Sequence, residues 1–473
     1  MQEPPLRELR CDVAVIGAGT AGMAAYRAAR EAGARAVLIE AGPGGSTCAR
    51  VGCMPSKLLI TAAKAAHDAR RAGEFGVATG PIRVDGVATL QRVRRERDRF
   101  VAGVLSEFEK FPNEDRVNGR ARFVARDILV LEDRDTRIAF GAAVIAAGSS
   151  PAVPELLAGL GDRVLTTDTL FEIPDLPRSL AVIGGGPVGI EIAQAMARLG
   201  VAVTLLDGGH ALAGLRDPDL VARANALFAA EMTLHFGTKV ERAESAGDGI
   251  RLTWAGKDGA GGSGVFDRVL AAAGRPPSLR GLGLEEAGLS LDEKGGPCFD
   301  PRTLMGEGAP IFVAGDAAAS RPVLHEAARQ GRIAGRNAAA LVRSGPTGIA
   351  TPAPWVNLAM VFTDPGTAAV GETYDPERAA ERVVGAVDFS RQGRARIMDR
   401  AAGALRIYAD RAGCLTGAEM LCPEAEHLGH LLAMAIQDGQ TAQDLRDRPF
   451  YHPTVEEGLV TALTRIIDGL DAR

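Results

Sequence analysis

Two cysteines stand five positions apart in the stretch Thr47-Cys48-Ala49-Arg50-Val51-Gly52-Cys53-Met54-Pro55-Ser56-Lys57. The other four of the six cysteines, Cys11, Cys298, Cys414 and Cys422, lack metal-ligand spacing and read as small buried or half-buried side chains. In a reducing compartment a close pair points to catalysis or metal binding rather than to a structural bridge. In a regular helix, residues five apart are separated by about 7.5 Å of rise, beyond the roughly 4.4–6.8 Å between Cα atoms that a disulfide tolerates. If Cys48 and Cys53 are bridged, the segment joining them must be irregular. Gly52 relieves the backbone before the second cysteine, and Pro55 suits the first turn of a helix. Cys53 would then sit by a helix N-terminus, where thiolate is favoured over thiol.

The elements around this pair begin with DVAVIGAGTAGMAAYRAAREAGARAVLIEAG. A β-rich run from Val13 to Ile16 meets Gly17, Gly19 and Gly22, an alanine-rich helix follows to about Glu31, and an apolar run from Ala36 to Ile39 ends in Glu40. Strand, glycines, helix, strand and acid in this order form a dinucleotide-binding fingerprint. Gly17 permits the tight turn, Gly19 lets the backbone approach a pyrophosphate, and Glu40 would accept hydrogen bonds from a ribose. The pattern returns at SLAVIGGGPVGIEIAQAMARLGVAVTLLDGG with Gly184, Gly186, Gly189 and Asp207. Two such units imply two dinucleotides. A short carboxylate accepts a ribose 2′-hydroxyl and repels a 2′-phosphate, so Asp207, with no arginine nearby in sequence, argues for NAD over NADP. Two further apolar strands end in Ala-Ala-Gly, at Gly148 and Gly274. The prolines after each suit a chain crossing between domains. A strand from Ile311 ends in Gly315-Asp316, a second carboxylate able to face a cofactor, and the region from about Thr351 reads as a separate α+β domain.

Composition narrows the classes. A chain of 473 residues is too long for one core and suggests about three domains. With 46% hydrophobic and 24% charged residues it is an ordinary globular chain. A net charge of −5 offers no footprint for nucleic acid. The acidic, proline-containing start lacks the pattern of a secretory signal, and no apolar run approaches the roughly 18 residues that cross a bilayer. These features predict a soluble, cytoplasmic protein with no membrane partner.

Together, the glycine motif at Gly17, the Cys-x4-Cys-x-Pro-Ser-Lys run, the second motif at Gly184, Gly315-Asp316 and a late His452-Pro453-Thr454-Val455-Glu456-Glu457 resemble the flavin-dependent pyridine nucleotide–disulfide oxidoreductases. The likeness runs from roughly residue 10 to 465 and looks strongest toward the dihydrolipoamide dehydrogenases. It implies an α/β fold of two Rossmann-like domains, one for FAD and one for NAD, with a C-terminal α+β dimerisation domain. The expected boundaries are 1–150 for the first part of the FAD domain, 151–274 for NAD, 275–346 for the return to the FAD and central domain, and 347–473 for dimerisation. The FAD site is expected at Gly17, Gly19, Gly22, Glu40, Thr47, Lys57, Gly148, Gly315 and Asp316, with Asp316 on the ribityl chain. The NAD site is expected at Gly184, Gly186, Gly189, Asp207 and Gly274.

The resemblance also assigns the chemistry. Cys53 is the flavin-side thiol and Cys48 the interchange thiol that meets the substrate. Lys57 lies near the flavin, paired with Glu191. Thiol exchange needs a base near neutral pH, and histidine suits. His452, oriented by Glu457, is expected to serve the cysteine pair of the other subunit of a homodimer. Thr454 and Glu457 also read as a helix capping box. His325, His427 and His430 look like packing or surface residues, and no metal is expected. Two electrons are expected to pass from a dihydrolipoyl dithiol, on a separate carrier protein or free, through the cysteine pair and FAD to NAD. A reductase of another disulfide or of a metal ion, and a redox-sensing or structural flavoprotein, are the alternatives. Mercuric reductases carry a cysteine pair near the C-terminus, whereas this chain ends RIIDGLDAR. Departures from the family pattern are Ser46 for a usual glycine, Arg50 where asparagine is common, Ala-Ala-Gly for Ala-Thr-Gly, and Phe450 in place of a frequent histidine. Arg50 puts a permanent positive charge between the cysteines, which favours thiolate or draws an acidic substrate carrier.

Overall fold

The computed structural model describes residues 7–132, 136–256, 259 and 261–472; the acidic, proline-containing start at residues 1–6 lies outside them. The chain forms two compact units. One comprises Met1–Pro55, Arg94–Pro151 and Arg275–Pro354, the other Ser56–Val93, Ala152–Gly274 and Trp355–Arg473.

The first unit is built on a seven-stranded sheet in the order Arg116–Asn118, Ala36–Glu40, Arg7–Ile16, Thr136–Ile145, Ile128–Leu131, Ala121–Ala125. The seventh strand, Ile311–Val313, lies parallel to Ala143–Ile145. Val13, Val15, Leu38, Val144 and Phe312 are fully buried. Parallel strands covered on both faces read as unbroken apolar runs, and each such side chain contributes about 1.5–3 kcal/mol. The first strand begins at Arg7, earlier than its apolar run, because its opening half pairs with Thr136–Phe140 while largely exposed. An extension of that kind leaves no apolar signal. The helix Thr20–Glu31 packs on Leu324–Ser344 through backbone. A Cβ on Gly331 would lie 2.1 Å from the Ala21 oxygen, and one on Gly335 would lie 2.1 Å from the Ala25 oxygen.

The second unit holds three sheets. A five-stranded parallel sheet runs Thr233–His235, Ala202–Leu206, Ser179–Ile183, Arg268–Ala271, Val164–Leu165. Its core takes in Ile190, Ile192 and Met196 from the helix Pro187–Arg198, and Leu59 and Ala63 from the helix Cys53–Arg71. Thr238–Ala246, Gly249–Gly256 and Gly261–Phe266 form an antiparallel sheet of three. The C-terminal antiparallel sheet runs Leu358–Val361, Gly366–Gly371, Leu415–Cys422, Ala404–Ala409, Val383–Asp388. The helices Ala425–Gln437 and Glu457–Asp471 cover it, burying Leu428 with Leu432 and Leu459 with Leu463, pairs four residues apart on one helix face. Among the described residues no helix is long and apolar enough to cross a membrane.

Candidate active site

The cysteine segment is two helices with a break between them. Thr47–Arg50 is one helical turn, and Cys53–Arg71 begins at the second cysteine with Pro55 in its first turn. The Gly52 backbone folds back so closely that an added Cβ would lie 3.0 Å from the Thr47 oxygen and 3.2 Å from the Cys48 Cα. Cys48 is half-buried and Cys53 exposed. By contrast, burial pushes the Cys11 thiol up to about 12, and Cys422 is enclosed completely. Three consecutive residues before the first helix, Gly44, Gly45 and Ser46, have φ of 70°, 81° and 59°. At ψ 149° Ser46 occupies a region that is essentially glycine's alone, at a cost of about 1–3 kcal/mol. Its hydroxyl accepts from the Ala49 amide at 3.3 Å and its carbonyl from the Arg50 amide at 3.1 Å. The departure from the family glycine is therefore strained, and it caps the cysteine-bearing turn.

On the helix that starts at Cys53, Lys57 donates from Nζ to Glu191 Oε2 at 2.7 Å. The other oxygen, Oε1, accepts the Phe362 amide at 2.8 Å, and the Phe362 ring centre is 4.8 Å from Nζ. Glu191 is only 5% exposed, so both of its oxygens need partners and both have them. Gln194 and Arg198 continue the same helix face. Gln194 accepts the Asp364 amide and donates to the Asp364 carbonyl, while Arg198 pairs with Asp364 at 2.8 Å and Glu231 at 2.6 Å. Phe362, Gln194, Arg198 and Asp364 escaped the sequence reading. Three polar residues at positions i, i+3 and i+7 of an otherwise apolar helix were the available signal.

The two glycine motifs have one geometry. Gly17 has φ +100° and Gly184 φ +110°. A Cβ on Gly17 would meet the Ala146 oxygen at 2.4 Å, and one on Gly184 the Ala272 oxygen at 2.5 Å. Gly22 closes on the Gly17 oxygen and Gly189 on that of Gly184, at 1.7 and 1.9 Å from an added Cβ. Gly19 and Gly186, by contrast, face open space within 4 Å. The Ala-Ala-Gly segments just past the strand ends at Ile145 and Ala271 supply the two covering carbonyls. The helices Thr20–Glu31 and Pro187–Arg198 start at these open glycines with no side-chain cap and no acid in the first turn. Their unpartnered amides and open approach fit a dinucleotide pyrophosphate.

The strand-end carboxylates bind their own loops. Glu40 accepts the amides of Ala18 (2.8 Å) and Gly42 (2.7 Å), and Asp207 those of Gly185 (2.5 Å) and Gly209 (2.6 Å). Each oxygen keeps a further lone pair for a ribose hydroxyl. Asp316 accepts from the Ser149 hydroxyl at 2.7 Å, next to Gly148, and the Gly315 amide donates to Gln330 at 2.8 Å. Gly148 and Gly274, both with positive φ, face open space. Thr47 is exposed.

His452 is 81% exposed, and its Nδ1 lies 3.0 and 3.1 Å from the Glu457 oxygens. A carboxylate there makes Nδ1–H the donor and leaves Nε2 able to take a proton. The His452 ring and the Thr454 amide hold the Glu457 carboxyl below the usual range. The capping box is present by half: Glu457 reaches back to the Thr454 amide, but the Thr454 hydroxyl donates to the Tyr451 carbonyl. The helix begins only at Glu457, leaving that hydroxyl outside its first turn.

Residues 11–331 match the family described as pyridine nucleotide-disulphide oxidoreductase, and residues 358–463 match the dimerisation domain of that family. A dihydrolipoyl dehydrogenase from Halobacterium salinarum is 33% identical, over 95% of this chain and 95% of its own. A mercuric reductase from Shigella flexneri is 34% identical, over 95% of this chain and 80% of its own. The solved structure of LpdA from Mycobacterium tuberculosis superposes with a TM-score of 0.83 at 23% identity, covering 97% of this chain and 99% of that one, a likeness of fold.

Proposed function

The chain belongs to the pyridine nucleotide-disulphide oxidoreductase family of flavoenzymes, and from that premise we propose that it is a dihydrolipoyl dehydrogenase using NAD. The observation that carries this reading is the His452–Glu457 pair, an exposed base held by a carboxylate through Nδ1. A base so placed serves a substrate that must lose thiol protons. Dihydrolipoyl dehydrogenases matched over nearly their whole length support the same substrate.

Bound FAD supplies the two-electron link between the cysteine pair and the nicotinamide. Gly17, Gly19, Gly22, Glu40, Thr47, Lys57, Gly148, Gly315 and Asp316 would hold it, and Gly184, Gly186, Gly189, Asp207 and Gly274 would hold NAD. In each turnover the substrate loses two electrons and two protons and closes its disulfide. Cys48 exchanges with the substrate sulfur. Cys53, at the first position of its helix, is favoured as thiolate. Glu191 restrains the Lys57 ammonium, and Nε2 of His452 of the partner subunit takes the departing thiol proton while Glu457 stabilises the imidazolium. Asp207 accepts the ribose hydroxyls and disfavours a 2′-phosphate.

His452→Ala is expected to lower kcat/KM for dihydrolipoamide by about 10²–10⁴-fold while NADH still bleaches the flavin absorbance. Equal loss of both would overturn the assignment. Assays with Hg(II) and other disulfides separate the second reading, to which the mercuric reductase match lends support.

A further inference from the structure

We propose that Arg50 determines substrate specificity, and that it selects a dithiol or disulfide whose chain carries a carboxylate. This rests on the reading above, in which the substrate reacts at Cys48 and Cys53.

The turn is shaped so that this side chain folds back on it. Positive φ at Gly44, Gly45 and Ser46 reverses the chain, and Ser46 anchors the following helical turn by accepting from the Ala49 and Arg50 amides. The Arg50 stem then lies across Gly45: a Cβ added there would meet Arg50 Cγ at 3.4 Å and Cδ at 3.5 Å. The same point lies 2.8 Å from Val101 Cγ1, on the helix Gly86–Glu109, so the stem shares this bare glycine with that helix. A side chain at position 45 would push the arginine away.

Among the described residues the charge at the end of the stem has no counter-ion. Arg95, Arg97 and Arg99 on the neighbouring helix pair with Glu96 or Asp98. Arg50 is half-buried and, among the described residues, makes no side-chain hydrogen bond or ion pair. It stands two residues from Cys48 and three from Cys53. A guanidinium in that position offers a planar fork of donors to a carboxylate, which a neutral amide cannot match as a charge-assisted pair. Its role concerns binding rather than electron transfer, so its removal is expected in KM for the anionic substrate more than in kcat.

The test compares dihydrolipoate with dihydrolipoamide, the same dithiol with and without a carboxylate, with NAD as acceptor. The wild type is measured beside Arg50→Met, which keeps a stem, and Arg50→Lys, which keeps a charge without the fork. The ratio of kcat/KM for the acid to that for the amide is expected to fall about tenfold in Arg50→Met, or about 1.4 kcal/mol. Arg50→Lys is expected to fall between Arg50→Met and the wild type. In the wild type, added salt should lower kcat/KM for the acid relative to the amide, a readout that requires no variant. A ratio in Arg50→Met within about threefold of the wild type, or no relative salt effect in the wild type, overturns the proposal alone. Wild-type enzyme that turns over neither dithiol overturns the dihydrolipoyl reading, and this proposal with it.

Discussion

The glycine turns at Gly17 and Gly184 solve the same backbone problem, yet the helices that leave them do different work. Thr20–Glu31 presents alanine backbone to Gly331 and Gly335, a close contact between small residues. Pro187–Arg198 instead buries Glu191, Gln194 and Arg198, at 5%, 4% and 8% exposure. Those three reach Lys57 and the backbone of Phe362 and Asp364. The fingerprint thus specifies how a chain meets a dinucleotide and leaves the rest of the helix free. The first helix uses that freedom for packing, the second to hold a charged network around Lys57.

The largest effects are expected where the two turns are alike. Gly22→Ala and Gly189→Ala each drive a methyl into a glycine carbonyl, at a cost above about 3 kcal/mol. Gly22→Ala should yield protein poor in flavin. Gly189→Ala should keep its visible flavin absorbance and lose NAD-dependent turnover. Equal loss of flavin in both would break the assignment of one turn to each dinucleotide.

Where the helices differ, stability should differ. Arg198→Met leaves Asp364 and Glu231 without their cation and should cost about 3 kcal/mol, read from the denaturation midpoint. Arg27→Met, on the first helix, removes an exposed pair with Glu107 and should cost less than about 1 kcal/mol. Similar costs would show that the buried stripe is no more than surface charge.

Asp207→Ala should lower the NAD to NADP ratio of kcat/KM about tenfold, while Glu40→Ala weakens flavin retention and leaves that ratio alone. A changed ratio in Glu40→Ala would contradict the division of labour.

The smallest effect concerns pH. Burial pushes the Asp364 carboxyl up, but the hydrogen bond and charge of Arg198 outweigh it and leave the carboxyl below its usual range. A depressed folded value contributes stability that is present above the unfolded value near 3.9 and is lost as pH falls through the folded one. Wild-type stability should therefore decline at the acid end more steeply than that of Arg198→Met. Parallel acid limbs would show that Arg198 does not set the titration of Asp364.

Much of the candidate site's local geometry was legible in residue order because its parts are local. Glycines at Gly17 and Gly184, acids at Glu40 and Asp207, and cysteines flanking Gly52 each act through a turn of a few residues, and turns leave compositional marks. Phe362, Asp364, Ser149 and Gln330 left none. Glu191 meets Phe362 across 171 residues and Ser149 meets Asp316 across 167, while Gln330 reaches the Gly315 amide from the following helix, 15 residues on. The opening half of the first strand was equally silent, since pairing without burial needs no apolar run.

By itself the sequence marked the two glycine turns and the irregular cysteine segment, because backbone sterics and short-range hydrogen bonds act between near neighbours, and the family resemblance paired His452 with Glu457. Only the tertiary structure decided that the Ala-Ala-Gly carbonyls cover the motif glycines and that Glu191 divides its oxygens between Lys57 and Phe362. It also decided that Arg50 lies across Gly45 with no counter-charge among the described residues. Those facts depend on which distant groups burial brings together and on how each enclosed polar atom finds a partner, and packing alone settles both.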